Sequence, residues 1–151
     1  MDKDIFFMKK TLEIARESLV YDEVPVGALI VRNGEIISSS SNKRETNGDA
    51  TAHAETEAIR KACTKLGRWR LSDCDLYVTL EPCPMCAGAI LNAKIKRVVF
   101  GAKDPKGGAF GSLIDLRSYP FNHKPEVVSG ICEAECGEIL SDFFASKRKN
   151  K

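Results

Sequence analysis

Residues 76–86 read Leu76-Tyr77-Val78-Thr79-Leu80-Glu81-Pro82-Cys83-Pro84-Met85-Cys86 and change character halfway. Leu76 to Leu80 has the apolar, β-branched and aromatic composition of a buried strand, and Glu81-Pro82 ends it. From about Cys83 to Ala93 the pattern is helical. Pro84 is tolerated in the first turn because an amide there has no helical partner. A strand feeding directly into a helix is the repeating unit of an α/β fold. Cys83 and Cys86 lie three apart at the helix start, so both sulfurs share one face. They also stand near the positive end of the helix, which favours thiolates.

The flanking sequence supplies more of the same alternation. Ile5, Met8, Leu12, Ala15 and Leu19 recur at three- and four-residue spacing, which predicts an amphipathic helix over about residues 2–20. Val26 to Val31 and Glu35 to Ser38 read as strands, and the Asn33-Gly34 pair between them is a hairpin signal. Ser38 to Asp49 reads as a polar loop. A helix is expected from about His53 to Leu66, stopped by Gly67. Val98 to Phe100 reads as a short buried strand, followed by a loop rich in glycine (Gly107, Gly108, Gly111), a strand at Glu126 to Val128, and a helix from about Glu133. No repeat, low-complexity segment or linker interrupts the 151 residues, so one domain over 1–151 is expected, built on a mixed or partly parallel sheet covered by helices.

Composition narrows the class. The chain is 43% hydrophobic and 29% charged, as ordinary globular proteins are. No apolar run reaches the roughly 20 residues that span a bilayer. The charged Met1-Asp2-Lys3-Asp4 start carries no cleavage-site pattern, so a cytoplasmic location without membrane association is expected. In that reducing setting six cysteines do not read as a disulfide framework. Cys63, Cys74, Cys132 and Cys136 read as buried or inert. The net charge of +2 gives a weak global field, so a nucleic-acid partner would have to be held by local clusters. Lys94, Lys96, Arg97, Lys103 and Lys106 form one, and Lys147, Arg148, Lys149 and Lys151 another. Either could equally be a solvated face.

His53 opens its helix 30 residues before Cys83. If the two helix starts meet, His53, Cys83 and Cys86 offer three ligands to one zinc ion. A structural zinc site closes all four tetrahedral positions, whereas three protein ligands leave one for water and suggest catalysis. Zinc lowers the pKa of such a water from 15.7 to about 7. Glu55, two residues past His53 on the same helical turn, is placed to accept its proton without being a ligand. The same carboxylate can return protons to a ring nitrogen and a departing amine. His-x-Glu followed by Pro-Cys-x-x-Cys is the signature of zinc-dependent nucleobase deaminases.

The sequence resembles the bacterial tRNA-specific adenosine deaminases, within the cytidine deaminase-like superfamily, from about Phe7 to Phe144. The blocks that carry the resemblance are Glu23-Val24-Pro25-Val26-Gly27-Ala28, Thr51-Ala52-His53-Ala54-Glu55, Leu76 to Cys83 and Met85-Cys86-Ala87-Gly88-Ala89. They continue through Arg97-Val98-Val99-Phe100-Gly101-Ala102, Gly111-Ser112-Leu113, Asn122-His123 and Ser141-Asp142-Phe143-Phe144. The zinc motif marks the superfamily, and the later blocks favour the tRNA branch. The resemblance implies a three-layer α-β-α fold, with a five-stranded mixed sheet and helices on both faces, assembled as a homodimer. It also implies conversion of adenosine to inosine at the first anticodon position. Position by position, His53, Cys83 and Cys86 would hold one Zn2+ per chain, Glu55 would shuttle protons, and Asn42 would hydrogen-bond the flipped base. Asp104, Lys106, Asn122, His123, Phe143, Phe144 and Arg148 would line or approach the tRNA anticodon stem-loop.

The chain departs from the family at Ala50, where proline is common, and at Thr56-Glu57, where aliphatic residues are common. Glu57 faces away from Glu55 on a helix and is expected at the surface. Two other functions remain compatible. One is a deaminase of a free base or nucleoside, which would gain nothing from the basic, aromatic C-terminal helix. The other is a non-catalytic zinc-stabilised RNA-binding subunit, which would be expected to lack Glu55.

Overall fold

Asn33 and Gly34 form the turn that their sequence predicts. Both sit at positive φ, 50° and 77°, and Arg32 pairs with Glu35 across them, as a two-residue hairpin of this kind requires. The computed structural model describes residues 2–149. Its elements are α1 (Asp2–Val20), β1 (Gly27–Arg32), β2 (Glu35–Ser41), α2 (Arg44–Asn47), α3 (Ala54–Leu66), β3 (Asp75–Leu80), α4 (Pro84–Asn92), β4 (Arg97–Ala102), a 3₁₀ turn (Leu116–Ser118), β5 (Glu126–Ser129) and α5 (Glu133–Lys149). No helix among the described residues is long and apolar enough to cross a membrane.

The five strands run in the order β2-β1-β3-β4-β5. β1 is antiparallel to β2 and β3, while β3, β4 and β5 are parallel. Alternate side chains serve opposite faces. Ile30, Leu76, Val78, Val98 and Phe100 pack against Ala58 and Ala62 of α3 and Ala87 and Ile90 of α4. Leu29, Val31, Tyr77 and Val99 pack against Phe7, Met8 and Leu12 of α1 and Cys136 of α5. This is the expected three-layer α-β-α fold with a mixed sheet. β3 and β4 are covered on both faces, which is why their sequences read as continuous apolar runs. Small residues at four-residue spacing (Ala54, Ala58, Ala62) let α3 lie close to the sheet.

The segment read as a loop from Ser38 to Asp49 is more ordered than expected. β2 continues to Ser41 and α2 follows. The cause is distant in sequence: the carboxylate of Glu23, only 1% exposed, accepts from the amides of Glu45 (3.1 Å) and Thr46 (2.6 Å). A single turn that could not persist alone is thereby pinned.

At the opposite end of the sheet Asp4, itself buried, accepts hydrogen bonds from the Tyr77 hydroxyl (2.6 Å) and the two terminal nitrogens of the Arg97 guanidinium. Arg97 also reaches Asp75 (3.7 Å) and Glu126 (3.3 Å), so α1, β3, β4 and β5 share one network. Arg97 holds the Asp4 carboxyl down to about 2. A carboxylate depressed on folding stabilises the native state above its unfolded pKa of about 3.9, and the contribution disappears as pH falls from about 4 through 2. Asp4→Asn is therefore expected to lower the unfolding free energy by about 3 kcal/mol at neutral pH, because it leaves a half-buried guanidinium short of its buried partner. Urea denaturation should show the two proteins converging in the acid range. Equal stability at neutral pH would mean that the network contributes nothing.

Candidate active site

α3 and α4 both begin at the C-terminal end of β3, and their N-cap residues are His53 and Cys83. Both have extended backbones (φ −78°, ψ 158° and φ −73°, ψ 173°), and neither side chain caps its own helix. Nδ1 of His53 lies 3.7 Å from Sγ of Cys83 and 3.4 Å from Sγ of Cys86. The three donor atoms all fall within 4.8 Å of one another. Tetrahedral zinc at ordinary Zn–N and Zn–S lengths spaces neighbouring N and S donors about 3.6 Å apart, so the cluster fits that ion.

The three groups perturb one another. A hydrogen bond from the Cys86 thiol, reinforced by His53, holds Cys83 down to about 4, and the same contact pushes Cys86 up. His53 is raised, chiefly by its bond to Cys83. Cysteine binds a divalent cation as its thiolate, so loading of the cluster would release the thiol protons.

Glu55 sits on the first turn of α3 and is 5% exposed. Burial pushes its carboxyl up to about 7, and the Cys83 thiolate works in the same direction. A bound cation would pull the other way. Glu55 opens onto a cavity of about 150 Å³ with Val24, Val26 and Leu80 as apolar walls and Asn42 and Asp104 as polar ones. Asn42 donates to the Val24 carbonyl (3.3 Å) and accepts from the Arg44 amide (3.2 Å). Its amide nitrogen and oxygen each keep one further hydrogen-bonding position. The site can therefore hold a flat polar ring beside a cation and a buried carboxylate.

A groove of about 720 Å³ shares Val24, Leu80 and Asp104 with this cavity and runs out between the loop after β4 and α5. Lys103, Lys106, Phe144 and Arg148 line it. The two aromatic residues of α5 part company here. Phe144 is 44% exposed and faces the groove. Phe143 faces the α1–β1 connection, under the Lys147 ammonium. Lys147 in turn pairs with Asp22. Lys151 lies outside the described residues.

Asn122 and His123 line neither the cavity nor the groove. Nε2 of His123 is 2.6 Å from the Ile95 carbonyl, between α4 and β4. Glu57 is less exposed than expected, because it pairs with Arg60 at 2.5 Å and its side chain is only 15% exposed. All six cysteines are free thiols. The sequence reading did not single out Arg44 or Glu81, which also line the cavity. For Glu81 the signal was its place beside Pro82-Cys83.

The model of the MafB19-like deaminases matches residues 1–148. The tRNA-specific adenosine deaminase of Bacillus subtilis (strain 168) is 51% identical over 152 aligned residues, covering 100% of this chain and 94% of the relative. A solved tRNA:A34 deaminase, from work on A-to-I editing at the wobble position of transfer RNA, is 49% identical with a TM-score of 0.84, covering 89% of this chain and 99% of that one. The guanine deaminase from Bacillus subtilis is more distant, at 34% identity and a TM-score of 0.62 over 95% of this chain and 92% of its own. With its fold, its His-Cys-Cys cluster and these likenesses, the chain belongs to the MafB19-like deaminases and, among them, to the tRNA-specific adenosine deaminase family.

Proposed function

We propose that this chain, acting as a single domain and as a homodimer in the cytoplasm, hydrolyses adenosine to inosine and ammonia at the wobble position of a tRNA. The observation that carries this reading is the continuity of the small cavity at the His-Cys-Cys cluster with a long groove lined by cations and an aromatic ring. A free base needs only the cavity. A nucleotide flipped out of an RNA loop needs somewhere for its neighbours to lie, with cations for phosphates and an aromatic face for an unstacked base.

His53, Cys83 and Cys86 would hold zinc, which when bound acidifies a water and so supplies a nucleophile at neutral pH. Val24, Val26 and Leu80 hold the base flat, and the free positions on the Asn42 amide pair with its polar edge. Glu55 takes one proton from the attacking water and passes it to the ring nitrogen, then takes the second from the new hydroxyl on C6 and passes it to the amine, which leaves as ammonia. Asp104, Lys106, Phe144 and Arg148 receive the anticodon loop. Asn122, His123 and Phe143 are better placed to support structure within one chain. The exposed side chains of Met85, Leu113, Ile114, Tyr119 and Phe121 are apolar surface that a second copy would cover.

The test is ammonia release by zinc-loaded protein on an adenosine-bearing anticodon stem-loop, compared with free adenosine, adenine, guanine, cytosine and cytidine. Turnover of the stem-loop alone is expected. Turnover of guanine or cytosine instead would move the chain to the free-base branch.

Lys147 and Arg148, adjacent on α5, face different surroundings and should differ in their bearing on RNA. Arg148→Ala should weaken stem-loop binding and lower the slope of log affinity against log salt by about 1. Lys147→Ala should change that slope by much less, since Lys147 already has Asp22 and Phe143 as partners. Equal slopes for wild type and Arg148→Ala would remove this arginine from the RNA surface.

A further inference from the structure

Glu81 follows β3 directly and is 2% exposed. All of its acceptor capacity is turned toward one loop. One carboxylate oxygen accepts from the Asp104 amide (3.1 Å) and the Ser112 hydroxyl. The other accepts from the amides of Phe110 (3.0 Å) and Ser112 (3.1 Å). A carboxylate has about four lone-pair positions, so Glu81 keeps none to offer a base, although its edge borders the cavity.

The loop backbone runs against the carboxylate. A Cβ at Gly108 would stand 2.2 Å from the carboxyl carbon of Glu81, so only glycine passes there. The Gly108 carbonyl accepts from the amides of Leu113 (3.0 Å) and Ile114 (3.2 Å), and the Ala109 amide donates to the Pro82 carbonyl (2.9 Å). The segment from Asp104 to Ile114 is thus wound around a buried charge. It carries Asp104, a wall of the cavity, and Lys106, a wall of the groove.

We propose that Glu81 is a positioning residue for RNA binding: its carboxylate sets the shape of the 104–114 loop, and through that loop the affinity for the nucleotides that flank the reactive base. This rests on the reading that the chain acts on an RNA stem-loop. Glu81→Gln keeps the side chain's shape but aims an amide N–H2 at backbone donors, so the loop must shift. A displacement on the ångström scale at a substrate-positioning group is expected to raise KM and Kd for the stem-loop by roughly tenfold or more. Zinc content should be unchanged, and KM should move more than kcat, because His53, Glu55, Cys83 and Cys86 all lie outside the loop. Hydrogen exchange should accelerate at Asp104, Phe110 and Ser112 while β3 and β4 stay protected. Gly108→Ala presses on the same contact from the other side, so the double variant should be no worse than the poorer single one.

Wild-type KM and Kd in Glu81→Gln would overturn the proposal. So would loss of zinc together with a fall in kcat, which would make Glu81 a support for the metal ligands instead. If the wild-type protein turns over no stem-loop, the tRNA reading fails. The exchange experiment would then confine Glu81 to holding the loop, and its bearing on RNA would be overturned separately.

Discussion

Glu55→Ala is expected to lower turnover of the stem-loop by about 10²–10⁴-fold, the range that a general acid–base group contributes. Zinc content and stem-loop affinity should be kept. Glu55 is almost fully buried beside the cluster, but it is not one of the three grouped donors, and the groove that would bind RNA lies beyond the cavity. Glu55→Gln separates the proton from the shape: it fills the same space and cannot take the proton, so it should be nearly as inactive as alanine. Single-turnover rates of inosine formation, with metal analysis on the same samples, would decide the matter. Activity within about tenfold of wild type in either variant would contradict the assignment of the proton shuttle to Glu55.

Cys86→Ser is expected to reduce bound zinc from about one ion per chain to near none and turnover by more than about 10³-fold, since a three-ligand site that loses a thiolate keeps too little affinity to stay loaded. Cys86 is fully buried on the first turn of α4, where no compensating ligand can move in from solvent. Chelation of the wild type should reproduce the loss, and added zinc should restore activity to the wild type alone. The thermal midpoint of the wild type should fall on chelation as well, because an ion bound only by the folded state stabilises it. N-caps His53 and Cys83 give their helices no side-chain cap, so the first turns of α3 and α4 are where hydrogen exchange should rise. A Cys86→Ser protein that keeps zinc and activity would refute the ligand assignment.

What could be read from the sequence was what short-range chemistry writes there. The Asn33-Gly34 turn, the apolar spacing of α1, the Gly67 stop after α3, Pro84 at a helix start and the His-x-Glu and Cys-x-x-Cys spacings are local signals, and each element formed where it was expected. The His-Cys-Cys cluster was legible because two motifs each fixed their own helix start, leaving only the meeting of those starts to the fold. The unread parts depend on partners far apart in the chain. α2 exists because Glu23 holds it from 22 positions away. His123 is turned to a carbonyl 28 residues distant. Phe143 and Phe144 are adjacent on a helix with similar composition on either side, and only the packing of α5 beside the α1–β1 connection separates a covered ring from one facing the groove.

The loop around Glu81 has a consequence for how such an enzyme changes over generations. Its amides at Asp104, Phe110 and Ser112 point inward to a fixed charge, while Pro105 and Lys106 lie exposed. Mutations at those outward positions can redraw the surface offered to a substrate at little cost in folding stability, because the loop's anchor lies in its main chain, the Ser112 hydroxyl and one carboxylate outside the loop. Substrate preference and fold maintenance are then written in different residues, and lineages can drift in the first while the second is held constant.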